Sequence, residues 1–222
     1  KGIPGEKDIQ LLNKLNVFDL DSTKFFPQSP ISRSQFVKWL ARAAATTSHH
    51  PVVLANRGPA TFTDVSESDP NFKYIQGMAN AGYLTSYDDK IFRPSGALSR
   101  EQMFGIKVQF DFARRLTRAV TKDEIRKIWK FQDVDKISPR YLSAFYYDGE
   151  GNSAPKNVSR VYGNIQNLKP QIPVTRAEAA ICLSRLGISS SASTAGAEAQ
   201  STKRPVAGPT TSTSTDSLDH PE

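Results

Sequence analysis

The chain has 222 residues, 38% of them hydrophobic, with 29 basic and 22 acidic side chains and a formal net charge of +7. That is ample for a globular domain with a proper core, and the length allows one or two. The positive balance favours acidic partners (anionic glycans, nucleic acid or acidic lipid headgroups) without selecting among them, and a single cysteine, Cys182, excludes an internal disulfide framework. No stretch approaches the length of a transmembrane helix. The chain opens on Lys1 with no signal-peptide pattern, so a fragment or processed form is expected, with any targeting peptide or anchor lying outside it.

Taken in order, the sequence repeats itself. Ile9 and Leu12 have the i, i+3 spacing of a helix face, and Asn16 follows at i+7 as a helix stop. A loop then ends in Phe25-Phe26-Pro27-Gln28-Ser29-Pro30-Ile31-Ser32-Arg33. Ser32 stands where an N-cap belongs, and Phe36, Val37, Leu40 and Ala44 line one face of a longer helix. The second unit starts with Phe62-Thr63-Asp64-Val65, continues with Ile75, Met78 and Gly82, and reaches Phe92-Arg93-Pro94-Ser95-Gly96-Ala97-Leu98-Ser99-Arg100. Ser99 caps a helix with Met103, Phe104, Ile106 and Phe110 on its face. One extra helix is expected over 119–130, because Thr121-Lys122-Asp123-Glu124 has capping-box spacing and Ile125, Ile128 and Trp129 form an apolar stripe.

The third unit begins at Phe131-Gln132-Asp133-Val134 and continues with Leu142, Phe145 and Gly149. After a longer loop it reaches Leu168-Lys169-Pro170-Gln171-Ile172-Pro173-Val174-Thr175-Arg176. Thr175 is its cap, Ala179, Ala180, Leu183 and Leu186 are its helix face, and Gly187 is its expected stop. From Ser189 the chain turns to Ser, Thr, Ala, Gly and Pro, which predicts a disordered tail or linker over 189–222. The three units span 5–48, 60–118 and 131–188.

Catalytic and cofactor chemistry find little support. His49-His50 sits in a loop without metal-ligand spacing, and His220 lies in the tail. Cys182, inside an apolar run, reads as a core thiol. Asp88-Asp89 and Asp123-Glu124 are explained by a loop and a helix start, and no glycine-rich phosphate loop occurs. No cofactor, metal or enzymatic activity is expected. A basic stretch runs through Arg114, Arg115, Arg118, Lys122, Arg126, Lys127 and Lys130. It is either a solvated helical face or, through Arg114, Arg115, Arg118, Arg126 and Lys127, a contact for an anionic surface. Phe110, Phe112 and Trp129 read as core rather than stacking platforms, so nucleic acid is not an expected partner. Asn157-Val158-Ser159 fits a glycosylation sequon.

These units resemble the S-layer homology repeat. The likeness runs through Phe62-Thr63-Asp64-Val65, Ile75 to Gly82, Tyr87 to Pro94 and Leu98-Ser99-Arg100-Glu101, and returns at Phe131 to Val134 and Val174-Thr175-Arg176-Ala177-Glu178. The resemblance implies a mainly α fold in which three helix-loop-helix repeats pack around a pseudo-threefold axis. It also implies a non-catalytic, monomeric module that attaches proteins to anionic, especially pyruvylated, cell-wall polymers. By position, Arg33, Arg100 and Arg176 would contact the anionic sugar substituent. Guanidinium chemistry agrees, because a planar fork meets a carboxylate with two hydrogen bonds in a helix's first turn. The alternative is that these arginines pair with carboxylates such as Asp64 or Asp133 and hold the repeats together. Only Arg176 keeps the Ala-Glu that commonly follows in the family.

The segments Asp69 to Gly77 and Asp133 to Pro139 further resemble plastid versions of the repeat, close kin of cyanobacterial ones. That favours attachment at a thylakoid or plastid envelope through a protein or membrane-lipid partner. A bacterial or cyanobacterial envelope is the alternative, and a non-catalytic appendage of a larger enzyme is a third.

Overall fold

A computed structural model describes residues 2–19, 25–46, 52–84, 90–151, 155–187 and 193–194. Among these, the chain forms eight α-helices: α1 (Glu6–Lys14), α2 (Arg33–Ala45), α3 (Phe72–Asn80), α4 (Arg100–Asp111), α5 (Lys122–Trp129), α6 (Leu142–Gly149), α7 (Asn157–Tyr162) and α8 (Arg176–Leu183). Two short strands, β1 (Arg185–Leu186) and β2 (Ser193–Thr194), pair antiparallel. The protein is therefore mainly helical. His49, His50, Asp88, Asp89, His220 and most of 189–222 lie outside the described residues. No helix among the described residues is long and apolar enough to cross a membrane.

Side-chain caps set the starts of α2, α4 and α8, although α8, at eight residues, is no longer than α6. The hydroxyls of Ser32, Ser99 and Thr175 accept the amides of Gln35, Gln102 and Glu178 at 3.2, 3.4 and 3.2 Å. In α4 and α8 the third residue also reaches back, so that Gln102 accepts the Ser99 amide at 3.1 Å and Glu178 the Thr175 amide at 2.7 Å. Thr121 and Glu124 make the same reciprocal box for α5.

Helix ends follow the expected stops less uniformly. Asn16 and Gly82 adopt φ of 54° and 80° just after α1 and α3. Gly149 does not act in this way. It is the last residue of α6, and a Cβ there would lie 2.4 Å from Ile128 Cγ2 and 2.7 Å from the Trp129 ring. Its smallness lets α5 lie against α6. Gly187 has φ of 88°, but α8 stops earlier, at Leu183. The Gly187 amide instead donates to Asp111 Oδ1 at 2.8 Å, tying the end of the third unit to the end of α4.

The core is continuous and α4 runs through it. Met103, Phe104, Val108 and Phe110 are buried, and α4 is packed by α6, α7 and α8. Gly105 admits the Tyr141 ring, because a Cβ would sit 2.5 Å from Tyr141 Cδ1. Around α2, Trp39 packs with Phe18 and Phe25 at centroid distances of 4.5 and 5.8 Å. Phe104 meets Phe145 edge-on, while Trp129 stacks on Phe131. Phe110 is fully buried and Trp129 packs against the core cluster, so both serve packing.

Candidate functional site

The three nine-residue segments meet at one place and close a ring of backbone hydrogen bonds. Ile31 N–H donates to the Val174 carbonyl at 3.0 Å, Val174 N–H to Leu98 at 2.8 Å, and Leu98 N–H to Ile31 at 2.9 Å. Each aliphatic residue thus donates to one neighbour and accepts from the other. The following residues repeat the pattern outward. Arg33, Arg100 and Arg176 amides donate to Gly96, Ile172 and Ser29 carbonyls at 3.0, 3.1 and 2.9 Å. The next amides, of Ser34, Glu101 and Ala177, reach the carbonyls of Pro94, Pro170 and Pro27.

The arginine side chains continue the same circuit. Arg33 Nε donates to the Phe92 carbonyl at 2.8 Å, Arg100 Nη1 to Leu168 at 2.9 Å and Arg176 Nη1 to Phe25 at 3.0 Å. Each guanidinium therefore grips the first residue of the neighbouring segment. Asp64 and Asp133 hold the same residues from the other side. Asp64 accepts the amides of Phe92 and Arg93 at 2.8 and 2.7 Å, and Asp133 those of Leu168 and Lys169 at 2.8 and 2.7 Å. These carboxylates thus fix backbone amides, a role the sequence reading did not assign them. Two successive amides on one carboxylate offset the left-handed backbone of Arg93 and Lys169, with φ of 60° and 54°.

Beyond this shared bond, the three arginines differ. Arg33 is 4% exposed and its guanidinium lies 4.7 Å from the Phe92 ring centroid. Arg100 pairs with Glu178 at 3.1 Å and stacks 3.9 Å from the Tyr162 ring centroid. Arg176 opens onto a groove of about 410 Å³ that it lines with Ser34, Gln35, Lys38, Asn71 and Asp19. Its Nε, like that of Arg100, is buried with no hydrogen-bond partner in the described structure. Lys38 borders the groove and pairs with Asp19 at 2.6 Å, while Asp19 also takes Arg42. The groove lies at the N-terminus of α2, whose first amides are taken by Gly96, Pro94 and the Ser32 hydroxyl, so that the helix dipole alone favours an anion there.

The basic stretch divides into two. Arg118 pairs with Glu124 at 3.0 Å and lies over Tyr146, and Arg126 pairs with Asp123 and with Asp135. Lys122 Nζ reaches the Asp135 carbonyl at 2.6 Å. Arg114 lies over Tyr147 at 5.6 Å, and Arg114, Arg115 and Lys127 are exposed.

Sequence reasoning missed one constellation altogether. Lys107, Asp148 and Asn157 have no exposed surface and Asp111 is 2% exposed. Lys107 Nζ contacts Asp111 and lies 3.4 Å from Asn157 Oδ1, and Asn157 Nδ2 donates to Asp111 at 2.8 Å and Asp148 at 2.9 Å. Asp148 also accepts the amides of Asn157 and Val158, which start α7. Burial pushes the Asp148 carboxyl up to about 6, against the downward pull of those amides. The sequon residue Asn157 is therefore a core hydrogen-bonding group, and the folded chain does not offer it to a glycosyl donor. Cys182 is buried nearby and burial pushes its thiol up to about 12, so it is not poised as a nucleophile. The one available signal was Lys107, a charge flanked by Ile106 and Val108 within an apolar helix.

Residues 61–104 match the model of the S-layer homology domain. That span runs from the Phe62-Thr63-Asp64-Val65 start to the first turn of α4. The S-layer homology domain is a non-catalytic module that mediates anchoring at cell surfaces, where it binds wall polymers. No curated protein matches the chain.

Proposed function

We propose that the chain is a non-catalytic attachment module of three S-layer-homology repeats about a pseudo-threefold axis. The repeats span 5–48, 60–118 and 131–188, with 119–130 as a connecting helix and 189–222 as a tail or linker. The module acts as a monomer and holds its parent protein on an envelope structure by taking an anionic group of a wall polymer. The closed ring of Ile31, Leu98 and Val174 supports the three-repeat reading. The binding reading is carried by the groove of Arg176, where a guanidinium, the Lys38 ammonium paired with Asp19, and the dipole at the α2 N-terminus converge on about 410 Å³ of open space. Arg33 and Arg100 serve chiefly to hold neighbouring segments.

The test is co-sedimentation of the 222-residue chain with isolated sacculi carrying their secondary polymers. Retention that is lost in both Arg176→Ala and Lys38→Ala is the expected result. Absence of retention by the parent chain removes the wall-polymer reading.

A second reading places the module in a plastid, at a thylakoid or envelope, with a protein or membrane-lipid partner. It is favoured by the plastid-like segments Asp69 to Gly77 and Asp133 to Pro139 and by the internal engagement of Arg33 and Arg100. Salt-sensitive binding to anionic thylakoid-lipid vesicles or to a plastid extract, without binding to sacculi, is its signature.

A further inference from the structure

A separate recess of about 110 Å³ lies between the C-terminal half of α4 and the first turn of α6. It is lined by Gly105, Gln109, Arg115, Arg140, Tyr141 and Ser143, and no carboxylate among the described residues lines it. The Ser143 hydroxyl is buried and has no hydrogen-bond partner among the described residues. A buried hydroxyl without a partner costs free energy comparable to a lost hydrogen bond. Its placement is therefore accounted for if an external group completes it. The volume accommodates a tetrahedral oxyanion.

The surroundings have the matching sign. Arg115 is exposed and borders the recess, and no carboxylate pairs with it among the described residues. Arg114 and Arg118 lie over Tyr147 and Tyr146, one turn further along the same helix as Ser143. The guanidiniums of Arg115 and Arg140 supply forked donors suited to phosphate oxygens, and the Ser143 hydroxyl adds a third donor group.

We propose that this recess binds a phosphoryl group, with Arg115, Arg140 and Ser143 as its ligands. The phosphoryl belongs either to a free phosphate or to a phospholipid headgroup. In the second case Arg114 and Arg118 meet the neighbouring headgroups. The site is independent of the Arg176 groove and stands whether or not that groove binds polymer.

The experiment is a titration of the ¹⁵N-labelled 222-residue chain with inorganic phosphate, ionic strength held constant with chloride. Vesicle flotation with phosphatidic acid, and with phosphatidylcholine as blank, runs in parallel. Saturable shifts at Arg115, Leu116 and Arg140 to Ala144 identify free phosphate as the ligand. Flotation on phosphatidic acid alone, without those shifts, identifies the headgroup. In either case Arg115→Ala, an exposed change that leaves the core untouched, weakens binding about tenfold, and Ser143→Ala weakens it severalfold. Arg176→Ala leaves it unchanged, which separates this site from the groove. No shifts at those residues up to about 50 mM phosphate, together with no phosphatidic-acid flotation, overturns the proposal. Binding that is insensitive to Arg115→Ala and Ser143→Ala also overturns it.

Discussion

Lys107→Met probes the buried polar cluster directly. The lysine has no exposed surface, and its ammonium contacts Asp111 and approaches Asn157. Methionine keeps most of the aliphatic stem and removes the charge. Asp111 then keeps the Asn157 amide and the Gly187 amide at 2.8 Å each, but loses its counter-ion inside the core. Asp148 shares Asn157 with it, so two buried carboxylates are left bridged by one amide. Removing one partner of a buried ion pair costs about 3–5 kcal/mol, a large share of the roughly 5–15 kcal/mol that holds a domain.

The pH dependence gives the argument a sign. The Asp148 carboxyl is raised from 3.8 to about 6, so the native state binds that proton more tightly than the unfolded chain. Its contribution to stability is fully present below the unfolded value and is lost as pH rises through about 6. Protonated below about 6, Asp148 no longer repels Asp111, so acidification relieves part of the cost of losing Lys107. Urea unfolding followed by circular dichroism should therefore show a deficit of about 3 kcal/mol or more near neutral pH that shrinks toward about pH 5. A variant within about 1 kcal/mol of the parent near neutrality would refute the ion-pair account. So would a deficit that stays constant on acidification.

Two further changes test the packing and the ring. Gly105→Ala places a methyl 2.5 Å from Tyr141 Cδ1, so it should lose about 1–3 kcal/mol by thermal melting despite alanine's better helix propensity. A stabilised variant would mean that the α4–α6 contact gives way at little cost. Asp133→Ala leaves the amides of Leu168 and Lys169 without their acceptor. A loss of about 2–3 kcal/mol is expected, and hydrogen exchange should quicken at those two amides before it does in α4.

How much could be read from the sequence depended on the range of the interaction. Caps were legible at Ser32, Ser99, Thr175 and Thr121, because a hydroxyl and a nearby amide on the same turn suffice. Apolar faces such as Phe36, Val37 and Leu40 were legible because burial on a helix has a period. Gly149 was misread as a stop, since its reason for being small is Trp129, twenty residues upstream on another helix. The sequon pattern at Asn157 gave no sign of its burial, since its partners Asp111 and Asp148 come from two other helices. The same limit applies to the candidate site. Matched arginines were visible at Arg33, Arg100 and Arg176, but whether each faces a carbonyl, a carboxylate or an open groove depends on the neighbouring segment.

The ring makes that dependence reciprocal. Ile31 and Val174 are joined across most of the folded chain, and Leu98 completes the circuit only when both are in place. Loss of any one segment leaves a buried amide on one neighbour and a buried carbonyl on the other, each costly without a partner. The arginines reinforce this by gripping the residue at the start of the next segment. That bond leaves part of each guanidinium to other contacts, and those contacts decide whether the arginine can still meet a ligand. Arg33, 4% exposed, and Arg100, held between Glu178 and Tyr162, have therefore become parts of the frame. Arg176 makes the same carbonyl bond with one nitrogen and still borders open space with Lys38 beside it. A frame held by two arginines and the backbone ring leaves the third able to meet an anion without opening the fold, so any polymer binding should be concentrated at one of the three junctions.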